Sequence, residues 1–161
     1  MQFSFALCES KLMNWKLAKE YFEDDGMLVD VYYEHMTTSG WEKLFGWLSA
    51  NSNVTSINCY IPESDENSEK FPKDINAYID VSGFYCFVSM LVGDITLFLR
   101  FYEKSELECD VSPSEIDSEE KLFALLSILE EIKVVTGSSR YLVCPENSKE
   151  GVFIVNGELV A

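Results

Sequence analysis

"GFYCFVSMLVGDITLFLRF", residues 83–101, is the longest apolar stretch of the chain, and its reading decides the fold. It approaches the length of a membrane span, but Gly93-Asp94 interrupts it and Arg100 follows. A glycine–aspartate pair between two runs rich in aromatic and β-branched residues is a turn signal. The stretch therefore reads as a hairpin and not as a span. Near-continuous apolar strands of this kind belong to the centre of a sheet with something packed on it.

Around that hairpin, residues 75–112 offer two or three strands, with a further turn signal at Ser82-Gly83. Towards the N-terminus, "MLVDVYYEHM" (27–36) and "NVTSINCYIP" (53–62) read as strands flanking a short helix, "TTSGWEKLFGWLSAN" (37–51). In that helix Trp41, Leu44, Phe45 and Leu48 fall at i, i+3, i+4 and i+7, the spacing of one buried stripe. Strand, helix and strand of these lengths allow a right-handed crossover unit. Asn14 is a cap for a first helix carrying Trp15, Ala18 and Phe22, which runs into "EYFEDDG" and ends at Gly26. Asp24 and Asp25 would then oppose the helix dipole, a hint that they serve something else.

"DSEEKLFALLSILEEIKVVTG" (117–137) reads as the last helix, with Asp117 as N-cap, Glu120 three residues on, and Gly137 as the stop. "RYLVC" and "VFIVN" close the chain as short strands. No repeat or linker divides the 161 residues, so residues 1–161 are expected to form a single α+β domain. Its central sheet, mixed or antiparallel, is expected to carry helices mainly on one face.

Hydrophobic residues make up 47% of the chain and aromatics 14%, enough for a packed core. The charge is less ordinary: 28 acidic against 12 basic residues leave a net −16. Such a field repels nucleic acid and anionic membranes and draws in basic partners. "ESDENSEKFPKD" (63–74) concentrates acid in what reads as a polar, mobile loop. "SELECDVS" alternates acid and apolar residues at Glu106, Leu107, Glu108, Cys109, Asp110 and Val111. That is a strand with an acidic outer face: an anionic contact surface, a solvated face, or an edge guarded by charge.

Five scattered cysteines without a C-x-x-C pair suggest reduced, mostly buried thiols and a cytoplasmic protein. A zinc site would need distant cysteines and the single His35, so no metal or other cofactor is expected. The N-terminus lacks the basic region of a secretory signal. Phosphate-loop, dinucleotide, nucleophile-elbow and zinc-protease signatures are missing. The one nucleophilic option is a Cys144–His35 dyad, as in a thiol hydrolase or transferase. Against it, Pro145 and Asn147 read as the end of a strand, and Glu146 and Glu150 offset Arg140 and Lys149 around the thiol.

"WEKLFGWL" after "LVDVYYEHMTT", then "ECDVSPSEIDSEEKLFALLSILEEIKVVTG", then "YLVCPENSKEGVFIVNGE" resembles a set of small bacterial cytosolic proteins of unassigned function. The resemblance covers about residues 27–60 and 105–157. Two positions depart from the shared pattern: Cys144 stands where threonine is common before Pro-Glu-Asn, and Gly40 where an aspartate precedes the tryptophan. The size, acidity and α+β make-up also resemble the immunity proteins of contact-dependent and polymorphic toxin systems. That resemblance implies a non-enzymatic inhibitor whose acidic surface binds a cognate toxin domain, a basic nuclease, without touching nucleic acid or membrane itself. The expected contacts are Asp24, Asp25, Glu63, Asp65, Glu66 and Glu69. The thiol enzyme and an acidic DNA mimic are the competing readings.

Overall fold

The computed structural model describes residues 13–79 and 81–160; Cys8 and the N-terminal stretch lie outside them. The hairpin forms as its sequence indicates. Strand β4 (Tyr85–Val92) turns at Gly93, with φ of 59°, into β5 (Ile95–Glu103), and Val92 pairs with Ile95. The other strands are β1 (Val29–Glu34), β2 (Val54–Ile61), β3 (Glu66–Ser68), β6 (Glu106–Val111), β7 (Tyr141–Pro145), β8 (Ile154–Val155) and β9 (Glu158–Leu159). Among the described residues they make one nine-stranded sheet in the order β3-β2-β4-β5-β6-β1-β7-β8-β9. Every neighbouring pair is antiparallel.

This order corrects the crossover unit. Helix α2 (Thr38–Ala50) leads from β1 to β2, but β6, β5 and β4 lie between those two strands. The interior positions go to the apolar hairpin, which needs neighbours on both sides to satisfy its backbone. The polar 63–74 segment is also more ordered than a loop. It contains β3, which pairs Ile61 with Glu66 and Cys59 with Ser68 at the sheet edge. Residues 75–78 form a short helix, α3 (Ile75–Tyr78), where a strand was expected.

Helix α2 and helix α4 (Glu119–Thr136) pack on the sheet face that carries Val31, Tyr33, Val88, Leu99 and Cys109. The buried stripe Trp41, Leu44, Phe45 and Leu48 meets Leu122, Leu125, Leu129 and Ile132 there. Each fully buried side chain of this size contributes about 1.5–3 kcal/mol. Two hydrogen bonds fix the layers: the Tyr33 hydroxyl donates to the Leu129 carbonyl at 2.6 Å, and the Trp41 indole N–H to the Lys104 carbonyl at 2.6 Å. Gly40 lies against the main chain at the end of α4. A Cβ there would stand 2.7 Å from the Thr136 carbonyl oxygen, so the aspartate of the resembling proteins does not fit this crossing.

Three local readings change. Helix α4 is capped by Ser118, whose Oγ accepts from the Lys121 amide at 3.3 Å, while Asp117 pairs with the Lys121 ammonium at 3.0 Å. The first helix is only α1 (Trp15–Ala18), continued by a 3-10 turn that stops at Phe22. Cys59 and Cys86, cross-strand partners on β2 and β4, are joined by a disulfide, contrary to the expectation of reduced thiols. Cys109 and Cys144 are free and buried.

Candidate partner-binding face

Helices α2 and α4 both lie on one face of the sheet; over the other runs the short 3-10 helix Lys149–Gly151, beside β7. Alternation along each strand sends every second side chain to that other face. Strand β1 contributes Asp30, Tyr32 and Glu34; β6 contributes Glu106, Glu108 and Asp110; β5 contributes Phe98, Arg100 and Tyr102; β4 contributes Tyr85, Phe87 and Leu91. The register sets Asp30 opposite Asp110, Tyr32 opposite Glu108, and Glu34 opposite Glu106. Two adjacent central strands therefore form an acidic band. Beside it Tyr85, Leu91 and Tyr102 are exposed and Phe87 and Phe98 half-buried, with Ser89 and Arg100 interrupting the apolar surface. Strand β6 is an interior strand, so its acidic alternation does not guard an edge.

On the far side of the acidic band, residues 145–151 fold back over the sheet. The Asn147 amide donates to Asp30 Oδ2 at 2.8 Å, and Glu146 Oε2 accepts from the Leu28 amide at 3.0 Å. Lys149 pairs with Glu106 and lies over the Tyr32 ring, 4.5 Å from its centroid. Arg140 reaches Glu34 at 3.2 Å. Between this loop and Tyr102 is a cleft of about 200 Å³, lined by Leu28, Asp30, Arg100, Tyr102, Glu108, Asp110, Glu146 and Asn147.

Electrostatics in the cleft are uneven. Arg100 Nε donates to Asp110 Oδ2 at 2.5 Å, which raises the guanidinium pKa above its ordinary value. Burial raises the Asp30 carboxyl, with Asp110 and Glu146 adding to it against the hydrogen bonds from Asn147 and Tyr32. Glu108 is also raised, first by burial and then by the charges of Asp30 and Asp110, against the opposing pull of Arg100. Among the described residues Glu108 has no hydrogen-bond or ion-pair partner.

The acids singled out in the sequence lie elsewhere, and all six are exposed. Asp24 and Asp25 follow the 3-10 turn, and each caps a turn: Asp24 Oδ1 accepts from the Gly26 amide at 3.2 Å, Asp25 Oδ1 from the Met27 amide at 2.9 Å. With no helix end there, the dipole conflict disappears. Asp25 lines a separate cavity whose wall, Leu28, also lines the cleft. Glu63, Asp65, Glu66 and Glu69 belong to the β2–β3 hairpin, where Asp65 accepts from the Tyr60 hydroxyl at 2.7 Å. β3 is five strands away from β1, about 24 Å at the usual strand spacing. The two groups do not form one patch. Of the cleft acids, only Glu108 and Asp110 carry a signal in the sequence, the acid–apolar alternation of β6.

The thiol dyad is not assembled. Cys144 is the cross-strand partner of Asp30, while His35 is five residues further along β1, about 17 Å at strand rise. Its thiol is pushed up to about 11, chiefly by burial and then by Asp30, the reverse of what a nucleophile needs. The His35 side chain is 84% exposed, at the end of the strand. Among the described residues no cluster of His, Cys, Asp or Glu is placed to hold a metal ion, and no helix is long and apolar enough to cross a membrane.

No protein-family model matches the chain, and no curated protein matches it by sequence. A solved structure does match by fold: a chain from the crystal structure of the toxic C-terminal tip of CdiA from Pseudomonas aeruginosa in complex with an immune protein. The TM-score is 0.55 at 19% identity, over 83% of this chain and 97% of that chain. The chain thus shares the fold of a component of a toxin–immunity complex.

Proposed function

We propose that this protein is an immunity protein, a single domain over residues 1–161 that binds and neutralises a cognate bacterial toxin domain in the cytoplasm. The observation that carries the reading is the fold shared with a component of a toxin–immunity complex, joined to a net charge of −16. Of the two sides of such a complex, the acidic chain suits the inhibitor of a basic nuclease. Carboxylates steer association and pair with the arginines and lysines that would hold phosphate. The displaced dyad and the raised Cys144 thiol favour binding over thiol catalysis. Asp24, Asp25, Glu63, Asp65, Glu66 and Glu69 are assigned to the outer steering field. Exposed charges of this kind change association rate more than affinity.

The test is co-expression with the C-terminal domain of the toxin encoded beside this chain. Rescue of growth, together with loss of nuclease activity when the purified chain is added, supports the proposal. Growth arrest by this chain alone would put it on the toxin side and overturn it.

A further inference from the structure

We infer that the outer edge of β2 at Ile57 is a docking site for an extended strand of a partner protein, one that alternates basic and apolar side chains. For the identity of that partner as a toxin domain the inference rests on the reading above; the edge itself rests on the backbone geometry of the sheet.

Strand β3 covers β2 only in part. It pairs with Cys59, Tyr60 and Ile61, and among the described residues no strand lies outside Val54–Asn58. The direction of the uncovered groups follows from the ladder, because both backbone groups of a residue point to one side and successive residues alternate. The Leu91 amide donates to the Asn53 carbonyl at 2.9 Å, so Leu91 faces β2, and with it Ser89, Phe87 and Tyr85. Their partners on β2 are Ser56, Asn58 and Tyr60. Ile57 and Cys59 therefore face outward. Cys59 meets Ser68 of β3, while the Ile57 N–H and C=O have no hydrogen-bond partner among the described residues. Unpaired groups held in strand geometry are complementary to the backbone of another strand.

The two end strands of the sheet are guarded and this stretch is not. β3 carries the exposed Glu66, and β9 is two residues long with the exposed Glu158. Short length and charge are the usual protection of an edge. Residues 53–61, NVTSINCYI, hold no charge and no proline in a chain that is 25% charged. A bulge between Val54 and Ser56 confines the site to the neighbourhood of Ile57. Beside it opens a cavity of about 310 Å³, lined by Thr55, Ser56, Ile57 and Glu69. Val54 and Ile57 are only half-buried against the core, so apolar side chains of an arriving strand would complete their cover. Glu63, Asp65, Glu66 and Glu69 outnumber Lys70 in the adjoining hairpin, which selects basic residues at the alternate positions. A second copy of the chain is a poor occupant, because it would bring another −16.

The experiment follows one atom, the Ile57 amide proton, by hydrogen exchange. In the free protein it should exchange at least about 10-fold faster than the amides of Ser56 and Asn58, which bond to β4. Equal protection would mean a covered edge and overturns the inference. The protein is then titrated with an acetylated, amidated peptide of alternating lysine and valine, and with the same peptide N-methylated at every residue. Slowing of the Ile57 amide by the first peptide and not by the second supports the docking site. No slowing, or shifts spread over the acidic surface, overturns it. In the complex with the toxin domain the same amide should slow. Ile57→Pro, which lacks the N–H, is expected to weaken binding about 30-fold, and Ile57→Ala, which keeps it, about 3-fold. Should the proline variant not fold, the exchange of wild-type Ile57 in the complex decides. Equal losses in the two variants overturn the inference, as does a dimer in sedimentation that Ile57→Pro dissolves. A toxin complex that leaves Ile57 freely exchanging also overturns it and leaves the functional proposal standing. If the wild-type chain binds no toxin domain, the functional proposal fails and the peptide titration still decides the edge.

Discussion

Asp30 and Asp110 stand directly opposite each other on β1 and β6, and each is only 3% exposed. Two buried carboxylates at one cross-strand position repel, and the fold separates their fates. Asp110 takes the Arg100 guanidinium, while Asp30 takes neutral donors and has a raised pKa. The buried Asp110 carboxylate therefore depends on a single cation, Arg100.

Replacing Arg100 with methionine should leave Asp110 buried next to Asp30 without its cation. A cost of about 3 kcal/mol in urea unfolding is expected, typical of breaking a buried pair from one side. The double variant Arg100→Met/Asp110→Leu should recover most of it. Equal instability in both variants would show that the arginine acts through packing on Phe98, which it overlies at 5.7 Å.

Glu108→Gln is expected to stabilise the free protein at neutral pH. Because the folded-state pKa of Glu108 is raised, the folded state holds that proton more tightly than the unfolded chain. Its contribution to stability is fully present below the unfolded pKa and is lost as pH rises through the raised folded value. The gain in the variant should be about 0.5 kcal/mol, or 1–2 °C, since the group is partly solvated. It should vanish as pH falls below the carboxylate range. Thermal melts across pH measure this, and destabilisation at neutral pH would show that the pull of Arg100 outweighs burial and the neighbouring acids.

The two glycines of α2 should respond oppositely. Gly40→Ala places a methyl 2.7 Å from the Thr136 carbonyl oxygen and should cost about 1–3 kcal/mol by forcing α2 off α4. Gly46 has open space around its Cβ position, so Gly46→Ala should gain about 0.5–1 kcal/mol from helix propensity. Denaturant midpoints of both variants check the crossing.

Native Cys144 should react with iodoacetamide far more slowly than free cysteine at pH 7.5, speeding up only as pH approaches about 11. Cys144→Ala should protect against the toxin as the wild type does. A fast single-site reaction abolished by that variant would restore the thiol enzyme.

Reductant should expose two further thiols, Cys59 and Cys86, to alkylation of the unfolded chain. Losing the bridge should cost about 3 kcal/mol under oxidising conditions and nothing in a reducing buffer, where the thiols are already free. A midpoint unaffected by reductant would show that sheet pairing alone holds β2 to β4.

Local signals were legible where local chemistry decides. The Gly93-Asp94 turn, the stripe from Trp41 to Leu48, and the stop at Gly137 follow from turn geometry, helical spacing and a left-handed cap. Asp117 and Ser118 have equal capping chemistry in the sequence, and only backbone geometry chooses the serine. The acids of the open face were harder to find. Glu106, Glu108 and Asp110 alternate visibly, but Asp30 and Glu34 sit among apolar residues of β1 and look like strand decoration.

By itself the sequence determined that this chain folds, that its hydrophobic core is a sheet under helices, and that its field is strongly negative. These follow from composition and periodicity, which are properties of neighbours along the chain. Only tertiary structure decided that β6 is an interior strand beside β1, that Asp30 meets Asp110, and that Arg100 faces Glu108. Antiparallel pairing brings together residues some 80 positions apart, and no local pattern encodes which strands become neighbours. The dense acidic hairpin drew attention because charge density is readable in one dimension; the cleft is a property of three.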